Sequence, residues 1–252
     1  MKRSSGFYAL GYLVGRWRLL MTFLAILLMA GAARGQSETQ RDTQVWVDYD
    51  PTWRLRERWT LDVDIASRYA FSDPPIWQIR LQPTLEYSLR KWIDLTGGVW
   101  FIYSAQFDTF DRLEIRPIVG VRVKRDVGRG IRLSNLFRAE YRIQRNLGMG
   151  ETVTAGRLRN RIQAMIPINH RSLSEDDTWY AFADAEWFWQ RDQQVDDGFN
   201  SRRRYRAGIA WRKNSTWTYQ LYYGFQRSRN TATESFTTAD DIIGFTLIQT
   251  FK

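Results

Sequence analysis

Hydrophobic and polar positions alternate with period two over most of this chain, most regularly between Trp59 and Leu89. In the first segment Trp59, Leu61, Val63, Ile65, Ser67 and Tyr69 share one parity, against Thr60, Asp62, Asp64, Ala66 and Arg68. The second sets Trp77, Ile79, Leu81, Pro83, Leu85, Tyr87 and Leu89 against Gln78, Arg80, Gln82, Thr84, Glu86 and Ser88. Successive side chains of a strand point to opposite faces, so the pattern predicts two β-strands. A turn over Phe71 to Pro75 joins them. Each apolar face begins and ends on an aromatic ring, Trp59 to Tyr69 and Trp77 to Tyr87, ten residues apart. Ten strand residues tilted in a barrel rise roughly 23 to 25 Å. That is the height of the lipid-facing band of an outer-membrane barrel, which carries Trp and Tyr at both edges.

The same alternation recurs downstream. Gln44 to Asp50 reads as a short strand ending at Pro51, and residues 93–103, 113–123, 131–144, 157–168, 179–190, 202–211, 217–225 and 243–251 as further strands. Trp179 and Trp189 repeat the ten-residue spacing, and Tyr205, Trp211 and Trp217 add rings to the outer parity. The expected membrane girdle is therefore Trp59, Tyr69, Trp77, Tyr87, Trp179, Trp189, Tyr205, Trp211 and Trp217. Pro83 and Pro117 each remove a ladder donor and mark an expected bulge or weak spot, and Gly97-Gly98 an expected bend. Asn160 and Gln249 interrupt otherwise apolar faces.

The fold class that follows is all-β, an antiparallel transmembrane β-barrel of about 10 strands with a partial strand at 44–50. Twelve strands is the alternative, since even counts are the norm for single-chain bacterial barrels. Connections form two alternating sets. With a periplasmic C-terminus, 51–56, 90–92, 125–130, 169–177 and 213–216 are periplasmic. Residues 71–75, 104–110, 146–153, 192–201 and 229–237 are then extracellular. A soluble β-sandwich also alternates, but its apolar faces pack inward and do not call for Trp or Tyr at both ends.

The N-terminus agrees with export. Lys2, Arg3, Arg16 and Arg18 precede an apolar run from Leu19 to Ala33, and Ala33-Arg34-Gly35 supplies the small residues of a signal-peptidase site. Residues 1–35 are thus expected to be a signal peptide and 36–252 the barrel, with a retained N-terminal anchor as the competing reading. The chain has 37 basic and 27 acidic residues and no cysteine, which excludes a disulfide-stapled domain and a lipidated-cysteine anchor. Five basic residues leave with the signal, so the net charge falls from +10 to +5. That gives little reason to expect a nucleic-acid partner. A mean hydropathy below zero excludes a helical membrane bundle, not a barrel with a polar interior. The expected location is the outer membrane of a Gram-negative bacterium. The expected partners are its lipid and the barrel-assembly machinery, which reads a terminal aromatic such as Phe251, here followed by Lys252.

The inner parity carries the candidate chemistry. It collects Asp62, Asp64, Arg68, Arg80, Glu86, Arg112, Glu114, Arg116, Arg138, Glu140, Arg142, Arg157, Arg159, Arg161, Glu186, Arg202, Arg204 and Arg206, together with Arg90, Arg122, Arg132 and Asp184. Arginine is favoured over lysine where planar, bidentate pairing with carboxylates is wanted in a confined space. Two readings stay open: ion pairs that fill a narrow lumen and hold its register, or an anion-preferring channel or ligand pocket, since arginine outnumbers the inward carboxylates. A third, of a different class, is an envelope-lipid hydrolase using His170, the only histidine, with Ser172, Ser174, Glu175 and Asp176 nearby in sequence. The balance of these residues points away from an enzyme. No metal-ligand spacing and no phosphate-binding loop is present, so no metal or cofactor is expected.

Trp46, Arg68, Glu114-x-Arg116, Arg138-x-Glu140-x-Arg142, Arg157-Leu158-Arg159-x-Arg161, Glu186 and Arg204-x-Arg206 together resemble a bacterial family catalogued as domain of unknown function 2490. The resemblance covers nearly all of the chain beyond the signal. It implies an outer-membrane β-barrel and supplies no activity.

Overall fold

The computed structural model describes residues 40–106, 111–190, 203–228 and 238–251. The expected signal peptide, Arg202 and the connections at 192–201 and 229–237 lie outside them. The described residues form eleven strands: β1 (Gln40–Arg56), β2 (Trp59–Ala70), β3 (Ile76–Arg90), β4 (Ile93–Gln106), β5 (Arg112–Asp126), β6 (Arg132–Asn146), β7 (Thr152–Pro167), β8 (Thr178–Gln190), β9 (Arg203–Arg212), β10 (Trp217–Ser228) and β11 (Thr238–Phe251). Each pairs antiparallel with its neighbour in sequence, and β1 closes the barrel against β11 in parallel. An up-and-down meander with an odd number of strands leaves its first and last strands running the same way, so a parallel seam is the only closure available.

The count corrects the expected ten strands, and twelve as well. The short element at 44–50 is a full strand of 17 residues, and 51–56 belongs to it rather than to a connection. Pro51 does not end β1. It stands opposite Gln249 in β11, while the ladder to β2 skips Asp50 and Pro51 and resumes in the same register at Thr52↔Asp62. Pro83 and Pro117 behave alike. The β3–β4 ladder skips Gln82 and Pro83, and the β5–β6 ladder skips Arg116 and Pro117, with no register shift. The missing N–H of each proline is absorbed by a local gap in one ladder, not by a bulge. Residues 104–106 and 152–153, expected in connections, also continue strands.

The turns after β1, β3, β5, β7 and β9 gather at one end of the barrel with Phe251. The strand ends at Ala70 and Ile76, Gln106 and Arg112, Asn146 and Thr152, Gln190 and Arg203, and Ser228 and Thr238 gather at the other, with Gln40. These are called the turn end and the loop end below. Alternation then sorts the side chains. The outer face carries apolar residues such as Leu81, Phe101, Ile115, Phe137 and Ile209, all exposed. The buried apolar cluster is inside the barrel: Trp46, Tyr180, Phe182, Tyr222 and Ile242, with Leu173 of the 168–177 connection packed against it. Gly244 belongs to this packing, because the Tyr222 ring occupies the space its Cβ would need.

Candidate functional site in the barrel lumen

Register, set by the turns and the two faces, decides which charges meet in the lumen. Glu140 stands opposite Arg157, Glu186 opposite Arg204 and Arg161, and Asp184 opposite Arg206. Opposite charges at such directly facing positions are the stabilising arrangement. Three contacts are bidentate or forked. Arg142 Nε and Nη2 donate to the two oxygens of Glu114 at 2.7 and 2.8 Å. Arg157 Nε and Nη2 donate to Glu140 Oε2 at 2.9 and 2.6 Å. Arg206 Nε and Nη2 donate to the two oxygens of Asp184 at 3.0 Å each. Arg116 Nε donates to Glu114 Oε1 at 2.8 Å, Arg204 Nη1 to Glu186 Oε2 at 3.2 Å, and Arg159 also pairs with Glu186. The chain of contacts continues from Arg204 through Gln226, which donates to Asp240 Oδ2 at 2.5 Å.

Aromatic rings sit inside this network, where sequence reading had placed only charges. Trp100 faces Arg138, Arg116 and Arg159 at 4.6, 5.5 and 5.8 Å from its ring centre. Phe188 faces Arg159, Arg157 and Arg204 at 5.0, 5.1 and 5.3 Å. Trp46 faces Arg68 at 3.5 Å and Arg204 at 4.7 Å. Guanidinium planes over desolvated rings are favourable. Together the rings and ion pairs form a packed layer in the loop-side part of the described lumen, where the side chains of Arg142, Glu140 and Glu186 are 0% exposed.

The turn-side half is hollow. A cavity of about 560 Å³ opens there, and its walls carry opposite charge. Asp48, Asp50, Asp62 and Asp64 line the side formed by β1 and β2, and Arg138, Arg159 and Arg161 the side formed by β6 and β7. Arg80 bridges Asp48 and Asp64 at 3.3 and 3.5 Å. Asp50 Oδ1, Asp64 Oδ1 and Arg138 Nε have no hydrogen-bond partner among the described residues. Nearer the turn end Arg122 pairs with Glu86, and Lys124 Nζ lies 2.8 Å from Asp94 Oδ2.

The structure thus brings seventeen of the expected lumen residues to the inner face, from Asp62 to Arg206, with Arg112 half-buried near the loop-end mouth. Arg202 lies outside the described residues, Arg90 ends β3 at the surface, and Arg132 is at the rim with Asp126. Sequence reading missed Asp48, Asp50, Asp94, Gln226 and Asp240 and all of the lumen rings, although their inner parity was available as a signal.

The outer rings fall in two belts. Trp59 packs at a tilt against Tyr87, while Trp53 stacks on Phe251 and Trp179 on Trp211, which in turn stacks on Tyr219, all toward the turn end. Trp217 joins them there opposite Gln249. Tyr69 stands opposite Trp77 toward the loop end, where Trp189 and Tyr205 are also exposed. Polar groups on the outer face satisfy one another. Asn135 and Asn160 exchange amide hydrogen bonds at 3.2 and 3.0 Å, Tyr49 donates to Gln249 at 2.5 Å, and Trp77 Nε1 donates to Ser67 Oγ at 3.1 Å.

In the 168–177 connection His170 Nδ1 lies 3.3 Å from Glu175 Oε2, and the hydroxyls of Ser172 and Ser174 bond each other at 2.7 Å. Among known families, the one described as "Protein of unknown function (DUF2490)" matches residues 43–237. No curated protein and no solved structure matches the chain.

Proposed function

The chain belongs to the DUF2490 family, whose function is unknown, and we propose that this member is an outer-membrane β-barrel closed to free diffusion, with a binding vestibule on its periplasmic side. The membrane reading rests on the two aromatic belts around an exposed apolar band. It rests also on the pairing of outward polar groups, which water would make unnecessary and hydrocarbon demands. Closure rests on one observation above the others: the Arg–Glu layer of Glu114, Glu140, Glu186 and their arginines crosses the lumen with side chains almost wholly removed from solvent. The vestibule of about 560 Å³ has the size of a small-molecule site, and its opposed charged walls suit a ligand bearing both charges.

Planar-bilayer recording tests closure. The refolded barrel is expected to give no stable open-pore steps, and a steady ohmic current from the unaltered protein would overturn the proposal. The second reading, a narrow anion-preferring channel, is favoured by the arginine excess around Arg68 and Arg138. It requires a reversal potential shifted toward that of chloride, reduced by Arg138→Ala or Arg159→Ala. The His170 connection gives a hydrolase reading no support of its own.

A further inference from the structure

Six guanidiniums converge on one small cavity where the Arg–Glu layer meets the vestibule. Arg68, Arg80, Arg116, Arg157, Arg159 and Arg204 line it, with Gln78, Ile102 and Phe188 and no carboxylate. The partner carboxylates stand behind these arginines. Glu114 and Glu140 serve Arg116, Glu140 serves Arg157, and Glu186 serves Arg204. Those glutamates are shared in turn with Arg142 and Arg138, so the layer carries more guanidiniums than carboxylates. Arg68 shows the deficit most clearly. Among the described residues it has no carboxylate within 4 Å and its Nε has no hydrogen-bond partner, although it is only 7% exposed and borders the vestibule as well. A buried uncompensated charge is costly, so a counter-charge is expected in the cavity itself.

We propose that this cavity binds a single monatomic anion of the halide class. Its volume is about 20 Å³, and roughly 10 to 15 Å³ holds one water, so it suits one small particle better than a phosphate or a carboxylate ligand. Water is the poorer occupant. It accepts only two hydrogen bonds, and its own hydrogens would face guanidiniums, with the Gln78 carbonyl oxygen as the one lining side-chain acceptor. A halide accepts from many donors at once and supplies the missing charge. The site does not depend on the membrane reading or on whether the barrel conducts, because it rests only on the guanidiniums that the barrel brings together.

The test uses the refolded full barrel in detergent, in potassium gluconate at fixed ionic strength, with chloride or bromide replacing gluconate stepwise. Thermal midpoint and 35Cl NMR line width are read together. The expected result is a saturable rise of about 3 to 6 °C at ten times the dissociation constant, with bromide competing for the chloride signal. Arg68→Gln should abolish the saturable part and leave the protein at least as stable as its parent in gluconate. A merely structural arginine would not produce that inversion. Arg132→Gln, at the rim, should leave the halide response intact. Midpoints that are equal in all three salts, or that rise without saturating, overturn the proposal. The salt comparison on the parent protein decides even where the Arg68 variant does not fold.

Discussion

Glu140 lies within 4 Å of four guanidiniums: Arg157 at 2.6 Å, Arg116 and Arg159 at 3.5 Å and Arg138 at 3.7 Å. Removing it leaves those cations facing one another away from water, so Glu140→Ala is expected to destabilise the barrel by about 3 to 5 kcal/mol. Asp126→Ala, whose Arg132 partner sits in solvent at the rim, should cost under about 1 kcal/mol. Urea unfolding in detergent, followed by the loss of the compact unboiled band on gels, compares them; similar midpoints for the two variants would mean that the layer is hydrated. The inward direction of Glu140 and Arg157 was legible, because period two assigns each residue a face without any structure. The inward direction of Trp46, Trp100 and Phe188 was equally available from their parity, but an apolar residue on a polar face reads as an interruption, so their role beside the arginines was not. Their arginines come from other strands, and only the closed barrel brings Arg204 of β9 over Trp46 of β1.

At the scale of the element, β1 is where sequence and structure part. Its alternation weakens around Asp50 and Pro51, and a proline in a strand pattern ordinarily argues for an end. The strand survives because it has two neighbours: the gap toward β2 is local, while β11 runs alongside in parallel from Gln40↔Thr238 to Trp53↔Phe251. Parallel pairing leaves no short-range trace in sequence, because the two strands lie at opposite ends of the chain. The chain has no cysteine, so the seam can be tested cleanly. Val45→Cys combined with Ile243→Cys, both outward and opposite each other, should form a disulfide on oxidation of the folded barrel. Ile65→Cys with Ile243→Cys should not, since β1 separates them. The cross-linked chain runs faster than the reduced one on a denaturing gel. Cross-linking of the second pair alone would mean that the barrel closes with ten strands.

For the whole molecule, the odd count decides which way the ends face. Ten strands would leave β2 as the first strand, entering from the turn end where β11 finishes. Eleven place the start of β1 at the loop end, across the barrel from Phe251. In the proposed outer-membrane orientation, with the short turns in the periplasm, the beginning of β1 would face the exterior and the vestibule would open inward. Single cysteines read this directly. Thr43→Cys and Met149→Cys, both exposed near the loop end, should react with a membrane-impermeant maleimide on intact cells. Lys91→Cys, exposed in the turn between β3 and β4, should react only after the outer membrane is disrupted. Labelling of position 91 and not 149 on intact cells would reverse the barrel and turn its vestibule outward. Labelling of 149 without 43 would leave the orientation standing but remove β1 from the wall. The three positions therefore separate the direction of the barrel from its strand count.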